Sequence, residues 1–431
     1  MTSFIKTSFS TFALRLLVIG AKFGLFMFLG KFVAESDIGV YGMIATIVML
    51  LAQILGMEFH YYNTREIQKK PVGTRGSLIR DQFVLHFMTY CITFPLVILF
   101  FIFGFIDFIY IFYFYALLLF ECLSQELFRI LAANQMPVAA TFNLFFRTVP
   151  WVVVSAIFIY FNLSESVVKV ILLSWFLSSL SATVFSLFIL RHEISLSKIR
   201  TKIDFQWIKR GIISVVPFMI SAIAGSTALA IDKFIIKYSI GDAALGIYFF
   251  MFSLAGGYYT LLTFSVGIIY GPKVLYSYHN ESTKDFLATR KEGLVKTFTA
   301  GAILMPPAIL GIYIVLFIID NEIYNQNINI YFLLLAANVI WAFADVLNYD
   351  LYVRYFDKII MYISIIGALI TTIIQAILVS LYSIQGAAVA AIISFSALAI
   401  IRYLVLKRKV PGYSLLMTYD ENIDYGIHYK P

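Results

Sequence analysis

The chain has 431 residues, of which 61% are apolar or aromatic and only 13% charged, with a formal net charge of +8 and a mean hydropathy of +0.89. Soluble domains run at about 45–50% apolar and about 25% charged, so this composition excludes a water-soluble enzyme or binding module and requires lipid as the solvent. The two cysteines cannot form a disulfide framework; Cys91 and Cys122 both sit in apolar runs and read as small hydrophobes.

A helix needs about 20 apolar residues to cross the hydrocarbon core. Apolar runs of that length, separated by charge or turn clusters, predict twelve spans. They fall near 10–32, 39–59, 82–103, 108–131, 139–161, 167–190, 211–236, 243–270, 294–319, 328–352, 359–381 and 386–406. The first span follows Met1 to Ser10 directly, is too long for a signal-peptide core and has no small-residue cleavage site after it, so it reads as uncleaved.

Charge placement tests this ladder. One set of connections holds Arg65, Lys69, Lys70, Arg75 and Arg80, then Arg191 through Arg210, then Lys273, Lys284, Arg290 and Lys291, then Arg354 and Lys358, then Lys407, Arg408 and Lys409. The alternate set holds acids: Glu35 and Asp37, Asp107, Glu165, Asp242, Asp320 and Glu322. By the positive-inside bias the basic connections are cytoplasmic, and an even span count puts both termini there too. The basic balance is thus explained by topology, with anionic lipid headgroups as partners, and calls for no nucleic acid.

A short pattern recurs across the chain. Asp37-Ile38-Gly39-Val40-Tyr41 follows span one, and Ala244-Leu245-Gly246-Ile247-Tyr248 follows span seven, at an offset near half the chain length. Lys31 and Lys237 precede the two glycines by eight and nine residues. The expected organisation is an all-α polytopic protein: an N-terminal six-helix lobe over 1–190, a basic linker over 191–210, a C-terminal six-helix lobe over 211–406 and a tail over 407–431. Parallel repeats of this kind are a transporter plan in which the substrate site lies between the halves.

Ionised side chains at mid-bilayer are costly and mark cavities, pairs or snorkelling groups. Arg147 falls near mid-depth ahead of Pro150; it reads either as a functional cation or as the partner of a fourth-span carboxylate. Arg15 and Lys22 are seven apart and share a helix face; Arg15 also reads as reaching back to the headgroups. Gly20 and Gly24 beside Lys22 read as a close-packing pair. Lys31, Lys233 and Lys237 sit near exterior helix ends, either snorkelling outward or rimming a cavity, and Asp232 is placed to neutralise a neighbouring cation. On span four, Glu121, Gln125 and Arg129 share a face and Glu126 reaches Arg129, a local ion pair with proton relay as the alternative. Asn338, Trp341, Asp345, Asn348 and Tyr352 form a polar stripe on span ten, lining a cavity or sealing a hydrogen-bonded helix seam.

Several signals are missing from the sequence. It has no phosphate-binding G-x-x-x-x-G-K-[ST] loop, no D-x-D pair on a loop and no H-E-x-x-H, so no cofactor or metal is expected.

With Glu35 to Tyr41, Ile231 to Ile236 leading into Ala244 to Tyr248, and Leu127 to Gln135 on the page, the chain resembles the polysaccharide flippases of the multidrug/oligosaccharidyl-lipid/polysaccharide exporter superfamily, and the O-antigen repeat-unit translocases in particular. That resemblance implies two lobes around an alternating-access cavity in the bacterial inner membrane and a cargo of undecaprenyl-diphosphate-linked oligosaccharide. It also implies a diphosphate drawn in by Arg15, Lys22 and Arg147, ion coupling at Glu121, Asp232 or Asp345, and work alongside a polymerase and other surface-polysaccharide assembly proteins. The first span lacks the family's proline, which shifts any hinge to Gly20, Gly24 and Gly30. A drug or small-cation exporter of the same superfamily would want acids rather than bases in its cavity. A polytopic O-antigen polymerase would be expected to carry a large exterior loop, and this chain has none.

Overall fold

The computed structural model describes residues 2–71, 74–191 and 202–415. Side chains of residues 2–10, 12 and 268 fall outside that description, as do residues 192–201, half of the expected 191–210 linker. The described residues are helical throughout. In chain order the elements are α1 (Thr2–Phe32), α2 (Glu35–Gly56), α3 (His60–Gln68), α4 (Gly76–Ile102), α5 (Ile111–Ala133), α6 (Pro137–Tyr160), α7 (Val167–Leu190) and α8 (Phe205–Ser239). They continue with α9 (Asp242–Leu262), a π-helical turn (Thr263–Gly267), α10 (Ile268–Asn280), α11 (Thr283–Ile319), α12 (Glu322–Gln326), α13 (Ile328–Val353) and α14 (Asp357–Lys409).

Eleven of these stretches are long and apolar enough to span a bilayer. The eleventh, α14, is two spans: Tyr382 and Ser383 leave helical geometry, Ser383 at φ 55°. Gln375 donates to the Ala387 carbonyl at 3.1 Å across this break, a contact a straight helix would put about 18 Å apart at 1.5 Å per residue. The chain therefore doubles back as a helical hairpin, and the twelve expected spans are all present. Bulky apolar side chains point outward along them, Phe317 at 86% and Phe112 at 79% exposure. In water such a surface would aggregate, while lipid tolerates it. The protein is multi-pass.

The chain divides into two compact units, residues Met1–Ser226 with Gly241–Gly246, and Thr227–Ile240 with Ile247–Pro431. The boundary falls inside α8, whose start packs into the first unit: Trp207, Ile208 and Val215 join Phe59, Leu78, Leu127 and Leu131 in one core at the basic end. The second unit has its own core at its basic end, where Phe286, Leu347, Leu351, Leu406 and Tyr413 cluster.

Two expected connections contain helix. α3 runs through the charged segment after span two, where Lys69 pairs with Glu66 at 2.7 Å. α10 extends span eight past its apolar part, and Glu292 near the start of α11 bridges Lys273 and Lys296. Charged residues at helical spacing support such extensions once a span has already nucleated the helix.

The repeated glycines have a structural cause. A Cβ on Gly39 would lie 1.9 Å from the Asp242 carbonyl oxygen and 3.1 Å from the Gly246 nitrogen; a Cβ on Gly246 would lie 1.8 Å from the Glu35 carbonyl oxygen and 3.0 Å from the Gly39 nitrogen. The contact is reciprocal, each glycine meeting the backbone that precedes the other by four residues, so the two copies of the motif pack on each other within the first unit. By contrast nothing lies within 4 Å of a Cβ on Gly20 or Gly24. Among the described residues the close packing expected of that pair is absent, and α1 packs instead through the opposite face, where Val18, Leu25 and Leu29 are buried.

Candidate functional site

The seam of α1 that carries Val18, Leu25 and Leu29 also carries Arg15 and Lys22, since positions 15, 18, 22, 25 and 29 alternate by three and four residues. Lys22 is exposed and lies within electrostatic range of Arg147 on α6 and Glu121 on α5. Arg147 Nε is 3.6 Å from Glu121 Oε1, so the fourth-span carboxylate does pair with it. Glu121 Oε2 is held in turn by Trp175 Nε1 at 2.9 Å and Ser179 Oγ at 2.6 Å. Arg147 Nη1 is buried with no hydrogen-bond partner among the described residues. The group carries two cations against one anion and keeps donor capacity unused. Beside it, Trp151 and Trp175 stack at 5.4 Å and Tyr41 lies about 6 Å from each ring. Cations next to aromatic faces can engage an anionic head and the apolar faces of sugar rings together.

The other predicted residues of the first unit are placed as follows. Arg129 pairs with Glu126 at 2.6 Å, the local ion pair read from their i, i+3 spacing. Arg15 is half-buried and Lys31 exposed. Lys31 occupies the last turn of α1, where a cation complements the helix dipole.

In the second unit Lys233 does not reach outward; it is 1% exposed. Its Nζ donates to Asp232 Oδ1 at 2.9 Å, Asp232 Oδ2 at 3.0 Å and the Leu229 carbonyl at 2.8 Å, and lies 3.4 Å from the Phe252 ring centroid. Tyr248 closes the group by donating to Asp232 Oδ2 at 2.7 Å. Burial of the ammonium is possible because Asp232 neutralises it and every donor is used. Lys237, half-buried, is in the last turn of α8.

The polar stripe on α13 divides. Asp345 and Asn348 line a cavity of about 480 Å³ walled by Tyr259, the π-helical turn, Gly293 and Asp350; an apolar cavity of about 690 Å³ adjoins it, sharing Leu262, Thr297, Ala342 and Val346. Asp345 accepts a hydrogen bond from Tyr259 and lies 3.7 Å from Arg402 Nη1. Asn348 Oδ1 has no partner among the described residues. Asn338 bonds its own helix at Leu334, and Trp341 lies under the Arg402 guanidinium at 5.9 Å, both outside the cavity lining.

Three features escaped the sequence reading. Arg402 neutralises Asp345 from 57 positions away, a pairing no local spacing announces. Arg290 forms a bidentate pair with Asp350 (2.6–2.8 Å) that Tyr413 and the Leu415 carbonyl complete. His86 joins Glu126 in the first unit; its signal was the polar run Gln82, His86 at i, i+4 in an apolar span. Among the described residues no cluster of His, Cys, Asp or Glu could hold a metal ion.

These helices have the fold of the multidrug/oligosaccharidyl-lipid/polysaccharide exporters. The chain superposes on the inward-facing conformation of a multidrug-resistance MATE-family transporter of that superfamily with TM-score 0.73 at 14% identity, covering 90% of this chain and 93% of that one. It superposes on the lipid II flippase MurJ in an inward closed conformation with TM-score 0.67 at 13% identity, over 94% and 87% of the two chains, and on a MATE protein in the straight conformation with TM-score 0.60 at 14% identity, over 93% and 94%. No protein-family model and no curated protein matches the sequence. The likeness is therefore one of fold.

Proposed function

We propose that this protein is a flippase that carries a polyprenyl-diphosphate-linked oligosaccharide, an undecaprenyl-diphosphate O-antigen or related surface-polysaccharide unit, from the cytoplasmic to the outer leaflet of the bacterial inner membrane. The observation that carries the reading is the charge balance in the first unit. Among the described residues Lys22 and Arg147 face one carboxylate, Glu121, and Arg147 Nη1 has no hydrogen-bond partner. A surplus cation within a membrane span is expensive unless water or an anion meets it. A diphosphate fits, because guanidinium and ammonium groups make charge-assisted hydrogen bonds to phosphate oxygens. Arg15, one heptad toward the basic end on the same α1 face, is the approach residue. Trp151, Trp175 and Tyr41 offer apolar faces to the first sugar.

The exterior cations take lesser parts. Lys31 and Lys237 each stand in the last turn of their own helix, and the saturated Asp232–Lys233 pair keeps the fold in order rather than binding cargo. Asp345, Asn348 and Asn338 belong to the second unit, with Asp345 the candidate for ion coupling through its tie to Arg402. A small-cation exporter is disfavoured by the same excess of positive charge. Among the structural neighbours, one is described as flipping lipid II.

The test is transbilayer movement of a fluorescent undecaprenyl-diphosphate oligosaccharide in liposomes holding the purified protein. Wild type should move it, and Arg147→Ala and Lys22→Ala should each lose about tenfold or more, the cost of one charge-assisted contact. Movement of a cationic dye but of no lipid-linked oligosaccharide under proton or sodium gradients would refute the assignment.

A further inference from the structure

The basic end of the first unit holds a buried polar cluster that the transport reading does not use. His86, on α4, is 2% exposed. Its Nδ1 lies 3.1 Å from the Leu55 carbonyl oxygen, an acceptor with no proton to give, so Nδ1 carries hydrogen in either protonation state of the ring. Nε2 faces two groups at nearly equal range: Gln82 Nε2 at 3.2 Å and Glu126 Oε2 at 3.3 Å. Asn63 donates to Gln82 Oε1, which fixes the Gln82 amide with its nitrogen toward His86. A bare Nε2 accepts from Gln82. A protonated Nε2 donates to Glu126. The same heavy-atom positions serve both states, so a proton can come and go without repacking.

The surroundings complete the arrangement. Glu126 also receives Arg129 at 2.6 Å and Gln82 at 3.3 Å, and a Cβ on Gly56 would fall 2.7 Å from Glu126 Oε1 and 2.9 Å from Arg129 Nη1, so glycine is what lets α2 end against this pair. Tyr90, Cys122, Glu58 and His60 are also in range of Glu126. Toward the surface stand Glu58 and His60, 3.4 Å apart. Burial and Arg129 hold His60 down at about 4, and burial pushes Glu58 up, so His60 stays neutral above that range.

The cluster also has a mechanical outlet. Leu55, which accepts from His86, begins the turn in which Met57 and Glu58 take φ of 49° and 52°. The next residue, Phe59, is fully buried against Trp207 at 5.4 Å, and its ring occupies the space a Cβ on Gly211 would need. Trp207 and Gly211 begin α8, the helix that runs on into the second unit.

We propose that His86 is a proton-binding site in which Nε2 exchanges Gln82 for Glu126 on protonation, and that the Leu55–Phe59 turn passes this change to the start of α8. The inference concerns the proton alone and does not depend on the cargo.

The experiment is solid-state NMR of the full chain in liposomes with ¹⁵N-labelled histidine, the His86 signals being assigned by their loss in His86→Gln. On acidification through about pH 8 to 5, His86 should pass from one protonated and one bare ring nitrogen, with the proton on Nδ1, to an imidazolium with two protonated nitrogens. Glu126→Gln should lower its proton affinity about tenfold or more, and Gln82→Leu should raise it. The Trp207 emission, taken as wild type minus Trp207→Phe, should follow the wild-type midpoint. A ring that stays in one state throughout, a bare-state proton on Nε2, or shifts of the same sign in the two variants would overturn the site. A titrating His86 with a silent Trp207 would overturn the link to α8.

Discussion

Replacing Gly39 by alanine sets two effects of opposite sign against each other. Gly39 sits in the first half of α2, and a glycine-to-alanine change in a helix normally gains about 1 kcal/mol from backbone entropy. Here the new methyl would stand 1.9 Å from the Asp242 carbonyl oxygen. Ordinary carbon–oxygen contact needs about 3.3 Å or more, so the two helix starts must separate by over about 1 Å, and the atom in the way is backbone that no rotamer change can move. Overpacking of this kind costs about 1–3 kcal/mol, and the loss of the reciprocal contact at Gly246 adds to it. Gly39→Ala and Gly246→Ala should therefore each lower the thermal midpoint of the detergent-solubilised protein, and the double variant should lower it by less than the sum, because one separation relieves both clashes. Gly20→Ala and Gly24→Ala, which meet nothing within 4 Å, are the controls and should be neutral or stabilising. Stabilisation by Gly39→Ala, or strict additivity with Gly246→Ala, would refute the crossing.

Other expectations follow from the buried pairs. Asp232→Asn should strand the Lys233 ammonium and cost about 3–5 kcal/mol, while Asp232→Leu with Lys233→Met should recover most of it; thermal midpoints decide, and a double variant no better than the single would contradict the structural role. Tyr413→Phe removes the hydroxyl that bridges Arg290 and Asp350 and should cost about 1–3 kcal/mol, read in the same assay. His60 contributes pH dependence of known sign. Its folded value is lowered from 6.5 to about 4, so the unfolded chain binds the extra proton between those values and stability falls as pH drops from about 6.5 to 4. The loss is at most about 3 kcal/mol, and His60→Gln should flatten that limb of the midpoint-against-pH curve.

Much of the fold was legible because lipid imposes length and polarity rules on every span. The break within α14 falls in the gap between the expected spans 359–381 and 386–406, and there a Cβ on Gly386 would lie 1.9 Å from the Leu378 carbonyl oxygen. The acids that set the loop alternation have a second cause visible only in the structure: Glu35 and Asp37 occupy the first turn of α2, Asp242 that of α9 and Glu322 that of α12, where negative charge is stabilised by the helix dipole. The Glu126–Arg129 pair and the Asp232–Lys233 pair could be read because their partners are neighbours in sequence. Arg290–Asp350 and Asp345–Arg402 could not, since each joins helices that sequence spacing does not relate. Gly20 and Gly24 misled for a related reason: small residues four apart permit close approach, but only a partner helix turns permission into contact, and α1 buries its other face. Lys233 looked like a headgroup-seeking lysine near a helix end; the adjacent carboxylate and Tyr248 made inward burial the better solution.

The proposal that the Lys22 and Arg147 group attracts a diphosphate is tested most directly by binding. Native mass spectrometry of the purified protein with undecaprenyl diphosphate, undecaprenyl monophosphate and undecaprenol should rank them in that order. Lys22→Ala with Arg147→Ala should erase the preference for diphosphate while leaving undecaprenol retention unchanged. Equal retention of all three lipids by wild type, or a preference that survives the double substitution, would contradict the account.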